Sequence, residues 1–428
     1  MTPALYFCNF PPLNSGGGGL LMRHILGDYP ADLLTVLTGS YHCHRVSKEE
    51  LQSAGDNYFI FPVTAATGRW GTGRVLVFLN WLALPLLVLI GIYLVKRKQV
   101  RVILSIAHDY FFIAAAVLSR LSELPLVLWV HDDWIAHTRQ NSYILKYFAA
   151  PIFSYAVRSA RHVYAISAPM AGWLRSEYGI EAEVQMPCSE GIAAPGERNP
   201  AIGEAFRIAF AGTNVGTGDT LGILAGLLAA GASLADGRRI ELHLYMPAPG
   251  FRPEWRHQNV ILHSWVPQAE LLKELRLADL LFLPYNFSES YERLWSRSFP
   301  TKAAEYLRYG QPILVMAPAR AAIVPYARAH GFAEVIDQPD RDALLDAIRR
   351  IAADASYRER LSARALETFQ KNHDAARQRR EVYRLINQLG KERTAARASR
   401  TESPRRPVVK PGEETVAASP AGRDGGNE

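Results

Sequence analysis

The sequence predicts an α/β protein with two parallel-sheet domains, and two observations carry this prediction. Short apolar runs rich in β-branched residues alternate with helical stretches, as in parallel sheets covered by helices. The chain also has 428 residues, more than the roughly 250 to 300 at which a single hydrophobic core stops growing. With 49% hydrophobic and 21% charged residues, its composition is globular, which excludes a fibrous or wholly disordered chain.

We place the first domain at residues 1–198. An apolar run at Ala4–Asn9 leads into the glycine cluster Gly16, Gly17, Gly18 and Gly19, and a helical stretch follows, which is the order of a strand, a glycine turn and a helix. Further predicted strands lie at Leu33–Thr38, Tyr58–Pro62, Val102–Ile106, Leu126–Val130 and Val163–Ser167. Predicted helices between them lie at Phe111–Ser122 and Met170–Tyr178.

Residues 75–98 depart from this pattern. Val75–Val95 is apolar over about 20 residues, the length that spans a bilayer, and Lys96–Lys98 follow it directly. A complete crossing would place the flanking strands on opposite sides of a membrane, so that they would not share one sheet. Three interpretations stay open: a core helix, a helix at the membrane interface beside its basic flank, and a membrane anchor.

The second domain is placed at residues 199–390, after a Gly- and Pro-rich linker at 188–201. Its predicted strands are Phe206–Ala211, Ile240–Tyr245, Val260–His263, Asp279–Pro284 and Pro312–Met316. Its predicted helices are Thr220–Ala230, Gln268–Leu277, Lys302–Tyr309 and a final helical region that reaches Leu389. Residues 391–428 contain almost no large apolar side chain, so we expect a disordered C-terminal tail.

Three pieces of the second half follow one another in a fixed order: Asp279–Pro284, Ser298–Leu307 and Gly310–Leu314. Their order and spacing resemble a conserved block of GT-B glycosyltransferases, particularly the large retaining family 4 group. In the first half, Leu128–Trp134 and Ala160–Ser167 resemble further segments of the same family. The resemblance implies the GT-B fold, in which two Rossmann-like domains with parallel sheets face each other across a cleft.

The same resemblance covers roughly residues 4–385 and implies an enzyme of the glycosyltransferase class. We expect it to transfer a sugar from a nucleotide sugar to a glycan or lipid-linked acceptor, with retention, without a metal, and in surface polysaccharide biosynthesis. No cofactor beyond the nucleotide-sugar co-substrate is expected.

The family motif assigns donor binding to the second domain. The strand end at Gly212, Thr213 and Asn214 is expected to approach the donor closely. Ser298 would open a helix whose Lys302 faces a phosphate, and Glu305 matches the glutamate that commonly binds the nucleotide ribose. The alternative is that Pro300 only starts this helix and that Lys302 is a solvated side chain.

On the first domain, His131 ends an apolar strand and precedes Asp133. The matching family position lies beside the donor sugar, so we assign His131 and Asp133 as catalytic candidates, with either one as general base if the enzyme inverts. His108 and the Gly16–Gly19 loop are assigned to the acceptor side. A satisfied histidine at a strand end is the competing interpretation for both histidines.

The sequence also departs from the family pattern. Arg297 stands where the paired-glutamate motif has its first glutamate, and the strand end at Gly212 lacks the Arg and Lys that many members use to bind diphosphate. Arg297 would supply the missing positive charge, or it would pair with Glu289 or Glu292 in a surface network. A catalytically silent GT-B protein that binds glycan or a partner transferase, and a nucleotide-sugar epimerase, therefore stay open.

The remaining features concern metal, partners and location. His42 and His44 are metal-ligand types, but no second cluster in the sequence completes a tetrahedral site, so no metal is expected. A net charge of +7 favours anionic lipid or phosphorylated ligands and does not call for nucleic acid. Three scattered cysteines and the absence of a secretory signal pattern predict the cytoplasm, with peripheral contact at the inner face of the membrane as the further option.

Overall fold

The computed structural model describes residues 1–13, 17–43, 46–53, 57–62, 81–141, 147–192, 205–213, 216–264, 266 and 268–402. The predicted boundary between the domains at 198 and 199 falls outside these ranges.

The first sheet has seven strands, all paired in parallel, and is built from residues before position 185. In chain order they are β1 (Ala4–Phe7), β2 (Leu34–Gly39), β3 (Tyr58–Phe61), β4 (Val102–Ile106), β5 (Leu126–Val130), β6 (His162–Ala165) and β7 (Glu183–Val184). Their spatial order is β3-β2-β1-β4-β5-β6-β7. The order reverses at β1, which is the switch point where ligands of doubly wound folds bind.

The second sheet repeats this arrangement with six parallel strands. They are β8 (Ala205–Ala211), β9 (Arg239–Tyr245), β10 (Val260–Leu262), β11 (Leu280–Pro284), β12 (Ile313–Met316) and β13 (Ala333–Ile336). The order is β10-β9-β8-β11-β12-β13, so β8 is the switch point here. Continuous burial along the central strands accounts for their uninterrupted apolar sequences.

Helices cover both faces of the two sheets. In the first half they are α1 (Gly17–Leu26), α2 (Ser40–Cys43), α3 (Lys48–Ser53), α4 (Leu84–Arg97), α5 (Phe111–Ser122), α6 (Trp134–Asn141), α7 (Ala149–Ser159) and α8 (Ala168–Tyr178). In the second half they are α9 (Gly218–Ala229), α10 (Gln268–Leu277), α11 (Glu292–Arg297), α12 (Thr301–Leu307), α13 (Ile323–His330), α14 (Arg341–Ala353), α15 (Ala355–Thr368) and α16 (Ala375–Glu402).

Apart from the final helical region, the predicted strands and helices are observed within a few residues of their expected ends, and the predicted two-domain α/β class is confirmed. Two strands were not predicted. β7 has two exposed residues, and β13 interrupts its apolar residues with Glu334, so neither carries the apolar run by which a buried strand is recognised.

Hydrophobic packing joins the two domains rather than stopping at each of them. One apolar cluster contains residues of both domains, among them Tyr6 and Trp129 of the first domain and Tyr306 of the second. Two further clusters cover the outer side of each sheet. The cleft between the sheets therefore rests on a continuous buried base.

The last helix returns to the first domain. Asn387 of α16 is hydrogen-bonded to Thr2 at 3.1 Å, and Arg379 contacts Asp28 at 3.1 Å. Residues 391–402, predicted to be part of a disordered tail, instead continue α16 to Glu402, and Arg393 donates a hydrogen bond to the Ser122 carbonyl at 3.0 Å. This packing on the first domain supplies the contacts that the polar sequence alone does not indicate. Residues 403–428 lie outside the described residues.

The apolar segment becomes α4, and residues 75–80 lie outside the described residues. One side of α4 is buried against α5, where Gly91 allows so close an approach that a Cβ there would lie 2.7 Å from a methyl carbon of Leu118. The other side exposes Leu86, Leu89 and Tyr93 at 51%, 62% and 53%. Of the helices described, none combines the length and apolar character that a membrane crossing requires.

Candidate functional site

A cavity of about 390 Å³ lies between the carboxyl edges of the two sheets. The first domain lines it with Gly17, Gly18, Gly19, His108, His131 and Asp132. The second domain lines it with Gly216, Thr217, Trp295, Ser298, Thr301 and Lys302. The structure thus brings half of the predicted site residues, from two distant parts of the sequence, to the lining of one cleft. A different cavity of about 440 Å³ near Tyr326 contains none of them.

The glycine loop opens α1 at the edge of the cleft. A Cβ at Gly18 would lie 2.7 Å from the Phe10 ring, and one at Gly17 would lie 3.4 Å from the Thr301 hydroxyl of the other domain. Side chains larger than hydrogen would therefore push against Phe10 and narrow the gap between the domains. Gly16 lies outside the described residues.

His131 follows β5 and faces the cleft at 8% exposure. Burial lowers the pKa of His131, and the neighbouring positive charge of His108 acts in the same direction, whereas the Asp132 carboxylate opposes both. The imidazole is therefore neutral at pH 7, the form that accepts a hydrogen bond or a proton. This is the state that either of its predicted roles requires.

Asp133 is turned away from the cavity and pairs with Arg297. The two side chains join across the domains with Nη1 and Oδ2 2.6 Å apart, and Asp133 also accepts a hydrogen bond from the Ala136 amide at 2.9 Å. The Arg297 guanidinium lies 4.6 Å from the centroid of the Trp173 ring. Arg297 thus pairs with neither Glu289 nor Glu292 in the structure, and its charge is already matched by a carboxylate.

Ser298 makes a second contact between the domains. Its hydroxyl donates a hydrogen bond of 2.8 Å to the Asp132 carboxylate. Ser167 also donates a hydrogen bond to the carbonyl of Arg297. The segment before α12 is therefore fixed to the first domain by three polar contacts within two residues of sequence.

Lys302 lines the cleft and carries a positive charge that no carboxylate among the described residues neutralises. Among the described residues no carboxylate pairs with its ammonium group, which lies 4.3 Å from the centroid of the Phe210 ring. Burial lowers the pKa of Lys302 to about 8. A Cβ at Gly212 would lie 2.6 Å from the Lys302 nitrogen, so this glycine makes the space that the ammonium group occupies.

Glu305 lies one turn beyond Lys302 and is held by three residues. Ser189 donates a hydrogen bond to it at 2.5 Å, Arg308 contacts it at 3.4 Å, and the His24 imidazole of α1 lies 3.6 Å away. Burial alone would raise the pKa of Glu305, but the contacts with His24 and Ser189 and the charge of Arg308 outweigh it and lower the pKa. Glu305 is an anion at neutral pH.

His108 and Asp109 follow β4 directly. Burial would lower the pKa of His108, but the charge of Asp109 and its contact with the imidazole raise it. Asp109 adopts a left-handed backbone conformation with φ of 52°, which is uncommon for a residue with a side chain.

Thr213 is exposed beside the cleft, and Asn214 lies outside the described residues. Three further residues of the cavity were not predicted. Gly216 and Thr217 follow the same strand and line the cavity. Trp295 also lines it, and its buried indole N–H has no hydrogen-bond partner among the described residues. The proximity of Trp295 to Ser298 in sequence was the available signal, but a tryptophan there is more commonly a core residue.

Comparisons with known proteins agree with this geometry. Residues 48–186 match the model of Glycosyltransferase Family 4. The crystal structure of Anabaena HepE with UDP and glucose is 14% identical and has a TM-score of 0.64, with 90% of this chain and 100% of that chain covered. The sucrose-phosphate synthase of Thermosynechococcus elongatus is 13% identical with a TM-score of 0.63, over 91% of this chain and 99% of that chain.

The α,α-trehalose 6-phosphate synthase of Burkholderia multivorans is 11% identical with a TM-score of 0.61, over 95% of this chain and 100% of that chain. No curated protein is similar enough in sequence to match the chain. The chain therefore has the fold of GT-B glycosyltransferases, and the predicted resemblance to family 4 is confirmed over residues 48–186.

Proposed function

We propose that the protein transfers a sugar from a nucleotide sugar, with retention of configuration, and that side chains rather than a metal stabilise the departing diphosphate. The observation that carries this proposal is Lys302, a cation without a carboxylate partner among the described residues, beside the small residue Gly212 at the switch point of the second sheet. A diphosphate placed there would form charge-assisted hydrogen bonds with the ammonium group.

The cleft offers further groups to the donor. The unpaired indole N–H of Trp295 would donate a hydrogen bond to it, and the neutral imidazole of His131 would contact the sugar from the opposite domain. The departing phosphate would accept the proton of the attacking hydroxyl, so the retaining reaction needs no protein base. A UDP-sugar is the donor class we propose, because HepE has been crystallised with UDP and glucose.

We assign the acceptor to a glycan or lipid-linked sugar in surface polysaccharide synthesis. The support is the exposed apolar side of α4, which ends in Lys96 and Arg97. The helix α7, which packs against α5 as α4 does, also exposes an aromatic side chain, Tyr155. Apolar side chains beside basic ones are typical of a helix that lies on an anionic membrane, and such a position would bring the cleft to a lipid-linked acceptor.

Donor and acceptor are tested together by incubating the protein with a panel of nucleotide sugars and lipid-linked acceptors. Each incubation is carried out both with and without added Mg²⁺. We expect one UDP-sugar to be consumed only when an acceptor is present, with or without Mg²⁺, and nuclear magnetic resonance of the product to show retention. Glu305→Ala and His131→Ala should reduce turnover. Consumption of donor without acceptor would indicate an epimerase-type reaction and contradict the proposal.

A silent GT-B protein is the second candidate, and the Asp133–Arg297 pair favours it. In this structure each of the two predicted site residues neutralises the other. A silent protein would bind a nucleotide sugar or glycan in calorimetry yet show no turnover with any acceptor, whereas the enzyme shows both.

A further inference from the structure

Three side chains with metal-ligating atoms meet at the first domain's side of the cleft. His42 comes from the short helix α2, and His108 and Asp109 follow β4. One ligand atom from each of the three lies within 4.8 Å of the other two. His42 and His108 also line the cavity, so the cluster opens into it. No local sequence pattern indicates these partners for His42, because about 65 residues of sequence separate it from His108 and Asp109.

The spacing of the atoms fits a coordination site. His108 Nδ1 and Asp109 Oδ2 are 3.2 Å apart. Metal bonds of about 2.0–2.2 Å place neighbouring ligand atoms about 3.3 Å apart in a tetrahedral site. This pair therefore already has the distance of one edge, and the His42 nitrogen, within 4.8 Å of both atoms, needs to approach by at most about 1.5 Å.

Second contacts fix these ligands in place. Asn9 donates a hydrogen bond to Asp109 Oδ2, and the Trp134 indole donates one to the Asp109 carbonyl at 2.9 Å. The left-handed backbone at Asp109, with φ of 52°, is unfavourable for a residue with a side chain and persists only where the surroundings impose it. The rings of His42 and His108 both pack edge-on against Phe10, with centroids 5.7 and 5.1 Å away. Partners of this kind orient ligands at metal sites.

We propose that His42, His108 and Asp109 bind one divalent transition-metal ion, of the class of Zn²⁺ and Co²⁺. Imidazole and carboxylate ligands suit these ions, and three protein ligands leave a coordination position open, as in sites that bind a water or substrate oxygen. That position faces the cleft, so the ion would bind an oxygen of a molecule on the acceptor side. The diphosphate proposed above belongs to the second domain, and this inference does not rest on it.

The test is metal binding by the untagged full chain without any nucleotide sugar. The protein is stripped with a chelator, dialysed, and titrated with Co²⁺ followed by absorption spectroscopy, then with Zn²⁺ in calorimetry. We expect one ion per chain and visible bands of nitrogen- and oxygen-ligated Co²⁺. Stoichiometry below one ion per chain for the wild type would contradict the proposal.

Variants identify the ligands. Asp109→Asn keeps a residue that tolerates the left-handed backbone. Asp109→Asn and His42→Ala, as single variants, should each lower metal affinity by more than the roughly 10- to 100-fold expected for loss of a residue that only hydrogen-bonds to a ligand. The control His162→Ala changes a histidine that contacts Glu183 at the far end of the sheet, and it should bind as the wild type does. Affinity unchanged in Asp109→Asn and His42→Ala would overturn the proposal, and thermal melts verify that each variant is folded.

Discussion

Lys302 combines burial with the absence of a matching carboxylate among the described residues, so its charge depends on pH more than that of an ordinary lysine. The lowered pKa of about 8 means that the ammonium form, which would bind diphosphate, is present at pH 7 and is lost as pH rises through 8. An exposed lysine would keep its charge to about pH 10.

We therefore expect affinity for UDP to fall as pH rises from 7 to 9.5. Lys302→Met should weaken binding at pH 7 by about 10- to 100-fold, the range of one charge-assisted hydrogen bond, and remove the dependence on pH. Lys302→Arg keeps its charge over this range and serves as the control. A Met variant whose affinity falls with pH as the wild type's does would show that another group titrates.

Gly212 matters through its backbone conformation and through the space that it leaves for Lys302. Its φ of 142° is rarely adopted by residues with a side chain, and a Cβ would meet the Lys302 nitrogen. Gly212→Ala should lower the free energy of unfolding by about 1–3 kcal/mol and weaken UDP binding, as measured by urea denaturation and calorimetry. Gly231→Ala is the control, since it also has positive φ but open space around it and should leave UDP binding unchanged.

At the scale of elements, α4 has two apolar sides, one of them buried and the other exposed. Leu87 and Leu94 are fully buried against the domain, while Leu86 and Leu89 are exposed. A helix that is apolar all round is ordinarily buried all round, so the exposed side is the feature that needs a partner.

We expect Leu86→Gln with Leu89→Gln to reduce co-sedimentation with vesicles that contain anionic lipid, while the free energy of unfolding stays within about 0.5 kcal/mol of the wild type. Leu277→Gln changes an exposed leucine of α10 in the other domain and should sediment as the wild type does. Equal vesicle binding by the double variant and the wild type would contradict the membrane role of α4.

At the scale of the whole molecule, polar contacts connect the domains above the shared apolar base. The Asp133–Arg297 pair is the shortest of these ion pairs, with Asp133 buried and Arg297 less than a third exposed. Because both side chains are largely shielded from solvent, we expect their charges to interact more strongly than those of an exposed ion pair.

A double-mutant cycle with Asp133→Asn and Arg297→Met should give a coupling of about 0.5–3 kcal/mol in the free energy of unfolding. Arg175 and Glu181 form an exposed pair within the first domain, and the same cycle there should give a smaller coupling, because solvent screens the two charges. Equal couplings in the two cycles would mean that Asp133 and Arg297 do not hold the domains together.

Glu305 connects α12 to α1 and to Ser189. A carboxylate whose folded pKa is lowered stabilises the fold at pH above its unfolded value of 4.5, and this stabilisation is lost as pH falls through the folded pKa. Glu305→Gln should therefore be less stable than the wild type at pH 7, with a difference that shrinks below pH 4.5 in urea denaturation. Glu367→Gln, at an exposed ion pair of α15, should change stability little at pH 7.

The local sequence determined the secondary structure of this chain and the strand ends that carry its site. Buried parallel strands require apolar residues without interruption, so β4 and β5 were predicted to the residue. The helix α5 was also predicted to the residue. Where burial is partial, as in β7 and β13, the pattern weakens and the prediction failed. The resemblance of Ser298–Leu307 to a family motif pointed to Lys302, which lies in the cleft as expected.

Tertiary structure alone decided which of these residues meet. Asp133 and Arg297 are 164 residues apart, and no local pattern indicates that one neutralises the other. The same holds for His42 beside His108 and Asp109, and for the return of α16 to the first domain. The periodicity of apolar residues in the sequence indicates which face of a helix or strand is buried. Contacts between distant side chains depend instead on how the two sheets pack against each other, which is decided by the assembled core.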